Sequence, residues 1–247
     1  MQMTTQNIKL TEMKNRASNH WIEQHKNIPS FRPKVQSTET SQSILAVANT
    51  IKHSEPRVNA SSFAEGIQMM LVSPADTDRS AVEQFIVAGY AKHFDAKLAE
   101  LFPVILAVKD INTDCLLGAV GLRYADDQKL FSEKYLSQPI ESLISEHQGY
   151  PINRKHVIEL GHFVVAQSSD VNTVIPVVAK FLKSLDVKWA VYTLSRPIKV
   201  AFQRMGIKLT HLQHAHPQAL DKSKTDWGRY YDFKPAVYFS NILTNMN

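Results

Sequence analysis

The sequence predicts an α/β (α+β) chain built on a mixed sheet with helices on both faces. Three observations carry that prediction. Apolar segments arrive at a regular beat only after about residue 65, and they follow the order strand, helix, antiparallel pair, then strand and helix in alternation. No internal repeat or low-complexity tract interrupts them. A chain of 247 residues, 44% of them hydrophobic, is long enough to bury one sizeable core.

The elements follow in order. Residues 1–60 contain NIPSFRPKVQSTETSQ, polar and broken by proline, and read as a flexible arm with short helices around Trp21 and over 44–51. A strand is expected over 69–73. DRSAVEQFIVAGYAKHF then forms an amphipathic helix with Val82, Phe85, Ile86 and Gly89 on one face. FPVILAVKD and DCLLGAVGLRYA read as two strands joined through Asp110, Asn112 and Asp114, residues that suit a hairpin turn. After a charged, aromatic insertion with a helix over 137–146, the last third reads strand 156–166, helix 171–185, strand 188–194, helix 196–205 and strand 208–214.

Composition excludes several classes. The net charge of +5 is mild and no dense Lys/Arg block occurs, so nucleic-acid binding is not expected. Cys115 is the single cysteine, which rules out an intrachain disulfide framework and a cysteine metal cluster; it is expected buried in its strand. MQMTTQNIKLTEMKN lacks the apolar core of a secretory signal and no stretch is long enough to span a membrane, so a cytoplasmic protein is expected. No Gly-x-Ser-x-Gly elbow, dinucleotide fingerprint or Walker loop is present. His211, His214 and His216 lack a nearby carboxylate or cysteine ligand, so no metal site is expected there.

The stretch ELGHFVVAQSSDVN carries the chemistry. Alternation puts Val157, Glu159, Gly161, Phe163 and Val165 on one face of a strand and Ile158, Leu160, His162, Val164 and Ala166 on the other. A carboxylate on an apolar strand is costly unless paired, open to a cleft or used. Glu159 is therefore a candidate general base, weighed against a structural partnership with Arg154, Lys155 or Arg123. His162 is the one polar residue on the second face, and a bulge at Gly161 and His162 would release it from the core. Thr193 and Ser195 emerge at the end of the next strand, with Ser195 placed to cap the helix that begins Arg196-Pro197. Phe131, Tyr135, Leu136, Trp227, Tyr230 and Tyr231 are aromatic or apolar candidates for a pocket wall or for ordinary packing.

At VIELGHFVV, VVAKFLKSL, WAVYTLS and VAFQRMGI the chain resembles the GNAT acyltransferase superfamily. More closely, RSAVEQFIVAGYAKHFDAKL, KLFSEKYLSQPIE, IELGHFVV and WGRYYDFKPAV resemble the thermostable hemolysin family, a GNAT-like group similar in pattern to acyl-homoserine-lactone synthases. The likeness covers roughly residues 65 to 240, within a domain running to residue 247. It implies a mostly antiparallel sheet that splays between the fourth and fifth strands, with an acyl thioester in the gap held as an added strand.

The resemblance also implies functional residues. Glu159 matches the glutamate of the synthases, and His162 falls where they place a polar, acceptor-contacting residue. The donor would lie against Phe163 and Val165, with Gln167, Ser168, Ser169 and Asn172 at its phosphate and Phe202 near its sulfur. The GNAT phosphate loop reads Gln/Arg-x-x-Gly-x-Gly/Ala, whereas this chain has Asp170 and Asn172 for the glycines, with Asp170 suited to a helix N-cap. Phe202 stands where many GNAT enzymes have a tyrosine. The implied function is N-acyl transfer from acyl-CoA or acyl-ACP to a small amine or amino acid, with no permanent cofactor and a homodimer open. The alternatives are a cytolytic protein, acting directly or through its product, and a GNAT-shaped binding module without catalysis.

Overall fold

The computed structural model describes residues 66–126, 128–221 and 225–244. The arm over 1–60 and its short helices lie outside the described residues. In chain order the elements are β1 (Ile67–Val72), α1 (Arg79–Phe94), β2 (Val104–Asp110), β3 (Cys115–Tyr124), α2 (Ile140–Gln148), β4 (Val157–Val165), α3 (Val171–Lys183), β5 (Trp189–Leu194), α4 (Arg196–Arg204), β6 (Thr210–His214) and β7 (Ala236–Asn241). Short 3-10 turns occupy Ser132–Lys134, Ser168–Asp170 and Tyr230–Phe233, among others.

All seven strands join one sheet in the order β1-β2-β3-β4-β5-β7-β6. Only β4 and β5 pair in parallel; every other neighbour is antiparallel. The mixed, mostly antiparallel sheet therefore stands as the sequence implied. One strand lay beyond that reading: β7, from the segment AVYFSN, inserts between β5 and β6.

Helices cover both faces because apolar residues alternate along the strands. On one face Val82, Ile86 and Tyr90 of α1 pack on Ile105, Ala107 and Ala119. Ile140 and Ile144 of α2 extend the same side against Val157, Val191 and Phe239. On the other face Val174, Ile175, Val178 and Phe181 of α3 meet Leu106, Val120, Ile158 and Leu160. Each fully buried side chain of this kind contributes on the order of 1.5–3 kcal/mol. Gly89 lets α1 approach β4 closely, since a Cβ there would lie 2.3 Å from Val164 Cγ1.

Several local expectations change. The expected helix over 137–146 begins at Ile140, because Pro139 holds an extended ψ of 146°. Cys115 opens β3 half-exposed, at the hairpin end of the strand where the sheet is not covered. The hairpin turn itself is held as expected, with Asp110 accepting the N–H groups of Asn112 and Thr113 at 2.8 and 3.1 Å. Ser195 occupies the N-cap of α4 and Pro197 its first turn, but the serine side chain makes no capping bond.

Candidate active site

β4 is irregular where the sequence is most polar. Gly161 pairs with Gly121 and Val164 with Ala119, so His162 and Phe163 together face the single residue Val120. This is a β-bulge, and it puts His162 at φ +54°, in the left-handed region. The extra residue reverses the alternation. Phe163 and Val165, expected on the face of Glu159, instead pack with the α3 core, while Val164 joins the α1 core. His162 escapes to the face of Glu159, where its ring meets Phe102 edge to face at 4.7 Å and Tyr90 at 6.1 Å.

The bulge opens the sheet. β4 and β5 pair only from Val157 to Leu160 and from Trp189 to Tyr192, although β4 continues to Val165 and β5 to Leu194. Beyond that point the strands part around a cleft of about 780 Å³. Phe163, Val165, Gln167, Ser168, Asn172 and Phe202 line it, whereas Ser169 does not. Its walls from α3 and α4, including Ile175, Val178, Ile198 and Phe202, are largely apolar. An apolar cleft bounded by free strand edges accepts an extended chain with amides of its own.

The loop at the head of α3 closes on itself. The Gln167 N–H donates to an Asp170 carboxylate oxygen at 2.9 Å, and the Gln167 side chain accepts from the Asp170 N–H. Asp170 was expected to cap α3; it sits at that position but spends its carboxylate on Gln167 instead. The turn thereby places a carboxylate at the head of α3.

A second, small compartment of about 30 Å³ adjoins the cleft, sharing Tyr90, Leu160, Gly161, His162, Thr193 and Tyr230 with it. Its remaining lining comes from Glu159, Phe102, Phe131, Tyr135 and Trp227. Glu159 is 2% exposed and accepts the N–H groups of Phe131 and Ser132 at 2.8 and 2.7 Å. Burial pushes its carboxyl above the usual carboxylate range, against the opposing pull of Arg123 and of the bonds from Ser132 and Phe131. Arg123 is its cross-strand neighbour, in register on β3, with its guanidinium 4.3 Å over the Phe102 ring. Of the three partners weighed for Glu159, Arg123 is the one the fold places beside it; Arg154 is engaged by Glu133 and Glu141.

Phe102 is the hub of this compartment. A Cβ on Gly121 or on Gly161 would lie 2.8 Å from Phe102 atoms, so both glycines are required by its close approach. Arg79 fixes the segment by donating to the carbonyls of Phe102 and Pro103 at 2.9 and 2.8 Å. His162 is held neutral: burial, with Arg123 and Arg79 nearby, pulls its pKa down to about 3. Its Nδ1, the Arg123 Nε and the Thr193 Oγ1 are buried without a hydrogen-bond partner. Buried polar atoms of this kind are the ones that an ordered water, an ion or a catalytic role accounts for.

Sequence reasoning singled out Glu159 and His162 but did not find Phe102, Arg123's register or the role of Tyr230. Tyr230 lines both cavities and donates to the Thr193 carbonyl at 3.2 Å. No local pattern marks these residues, which come from separate parts of the chain. The three histidines of β6 and its exit are exposed, with the rings of His211 and His214 5.0 Å apart. No metal-binding group of His, Cys, Asp or Glu occurs among the described residues. None of the described helices is long and apolar enough to cross a membrane.

A parallel pair that splays beside a bulged strand, with helices on both faces, makes this a GNAT-like fold. The chain belongs to the thermostable hemolysin family, whose profile matches residues 72–246. Among solved structures it is similar to FeeM, an N-acyl amino acid synthase from uncultured soil microbes. That match has 8% identity and a TM-score of 0.51, and covers 72% of this chain and 93% of that one. The AHL synthase LasI matches at 10% identity and a TM-score of 0.45, covering 71% and 90%. MesI, a CoA-dependent acyl-homoserine lactone synthase, matches at 14% and 0.42, covering 72% and 90%. At these identities the likeness is one of fold. No curated protein matches the chain at the sequence level.

Proposed function

We propose that this protein is an N-acyltransferase that moves an acyl group from a pantetheine thioester to a small amine or amino acid. One observation carries the reading: the cleft between the parted strands adjoins a small compartment lined by a buried carboxylate. The donor would enter along the free edges of β4 and β5 with its acyl chain among the apolar residues of α3 and α4. Glu159 would take the proton of the attacking amine. Its raised pKa brings it nearer to neutrality, where a general base works best. His162, neutral throughout the physiological range, adds no competing charge.

The self-closed loop at Asp170 favours a donor with a single phosphate, as on a carrier protein, over the pyrophosphate of coenzyme A. A second reading, a binding module without turnover, draws support from Phe202 in place of the tyrosine that would protonate the leaving thiolate. A thiolate leaves unaided at a lower rate, so transfer stands as the better reading.

The test is mass spectrometry of lipid extracts from cells making equal soluble amounts of wild type and Glu159→Gln. An acylated amine present only with wild type establishes transfer and identifies both substrates. Matching extracts, with both proteins folded, sink the transfer reading in that host.

A further inference from the structure

The two cavities differ greatly in size. The donor cleft measures about 780 Å³ and the compartment at Glu159 about 30 Å³. The smaller volume exceeds the roughly 10–15 Å³ that a single water needs, and a site for water also needs two or more polar partners. The compartment supplies them. The Glu159 carboxylate lines it, as does Thr193, whose hydroxyl is buried and unpaired. On β5 Thr193 lies two residues beyond Val191, the cross-strand partner of Glu159, and so on the same face of the sheet.

The compartment's walls are braced at this size. The Tyr135 and Tyr231 hydroxyls meet at 2.7 Å, and the Tyr230 phenol is bonded to the Thr193 carbonyl. Phe131 packs against both Tyr135 and Trp227, at 6.0 and 5.7 Å between ring centroids. The backbone of Phe131 is itself tied to Glu159. On its other side the compartment is continuous with the donor cleft through Gly161, His162 and Thr193.

We infer that the site also hydrolyses its donor: water held between Glu159 and Thr193 is the acceptor when no amine occupies the compartment, and the protein is then an acyl-thioesterase. The inference rests on the donor cleft proposed above. The water oxygen adds to the thioester carbonyl carbon and its proton passes to Glu159. The C–S bond then breaks, its electron pair leaves on sulfur, and the sulfur takes the proton from Glu159. One water and one thioester become one carboxylic acid and one free thiol. Thr193 orients the water and is a positioning residue.

The experiment needs no knowledge of the amine. Purified full-length protein is mixed with S-acyl-pantetheine thioesters of increasing chain length in oxygen-18 water, and free thiol is followed. Thiol release with one heavy oxygen in the acid is expected. Glu159→Gln is expected to lower its rate roughly a hundredfold or more. Thr193→Val, nearly the same shape, is expected to lower kcat about tenfold with KM for the thioester unchanged. Equal release by wild type and both variants overturns the inference. An N-acylated product in cell extracts without thiol release in the absence of amine overturns hydrolysis and leaves transfer standing. Neither thiol release nor N-acylated product overturns both readings.

Discussion

Two buried carboxylates, Glu133 and Glu159, are treated by the fold in opposite ways. Glu133 accepts from both terminal nitrogens of Arg154 at 2.6 and 2.8 Å and from the N–H groups of Leu130 and Ile140. Arg154 is fully engaged in turn, reaching Glu141 and the carbonyls of Ala125 and Gln128 as well. Burial pushes Glu133 upward, but Arg154 and the two backbone donors outweigh it and hold the carboxyl below its usual range. Glu159 has two backbone donors and an arginine beside it that leaves Nε unpaired, and its carboxyl is pushed up. The saturated network ties down the insertion over 125–141. The unsaturated pair keeps proton-accepting capacity next to the cleft. A buried charge is thus a structural pin or a working group according to how completely it is satisfied.

The contrast is broken most strongly at Glu159. Glu159→Gln is expected to lower acyl transfer by roughly 10²- to 10⁴-fold and to melt below wild type while staying folded, since the amide keeps one acceptor oxygen for two backbone N–H groups. Steady-state rates beside thermal melts check both halves. The wild-type rate should rise with pH through a limb above the ordinary carboxylate range, because the base works ionised and its pKa is raised. A limb at or below that range would remove Glu159 as the base.

Arg154→Ala should give the reverse pattern. It strands Glu133, which is 6% exposed, and is expected to cost about 3 kcal/mol of stability, at the lower end for breaking a buried pair because Arg154 is partly solvated. Urea unfolding measures it. If stability is unchanged while activity falls, the network belongs to the chemistry and the contrast fails.

How much of this was legible in the sequence follows the range of the interactions. The bulge could be read because His162 is the one polar residue on its face of the alternating strand, a signal contained in nine residues. The distinction between the two glutamates could not, because it depends on partners far along the chain: Arg154 lies 21 residues from Glu133, and Phe131 lies 28 from Glu159. The hub at Phe102 was equally hidden, since what marks it is the absence of Cβ atoms at Gly121 and Gly161 on two other strands. Alternation also misplaced Phe163 and Val165, because one inserted residue inverts every position after it.

A smaller effect is expected at His162. Its folded pKa, about 3, lies below the unfolded value near 6.5. The unfolded chain therefore binds the extra proton first. The contribution of neutral His162 to stability is complete above about pH 6.5 and is lost as pH falls towards 3. His162→Asn, which tolerates the left-handed backbone, should flatten that part of the Tm-against-pH curve. Parallel curves for the two proteins would show that another group titrates there.

The smallest change is expected at the loop. Asp170→Gly removes a carboxylate from the head of α3 and frees the Gln167 N–H. It should tighten coenzyme A thioesters about two- to fivefold and leave bare pantetheine thioesters unaffected. Competition between the two donors measures the shift, and an equal gain for both would mean that the loop does not meet the phosphate.

The position of β7 has a consequence for the protein's birth. It is the last described strand in the chain, yet it lies inside the sheet, with β5 on one side and β6 on the other. On the ribosome, β6 emerges with no neighbour to join and must wait about one to five seconds, at roughly 5–20 residues per second, for the 22 residues from Ala215 to Ala236, the partner of His214, to be made. During that interval β5 and β6 both offer unpaired edges, which are open to pairing with another chain until β7 fills the gap between them.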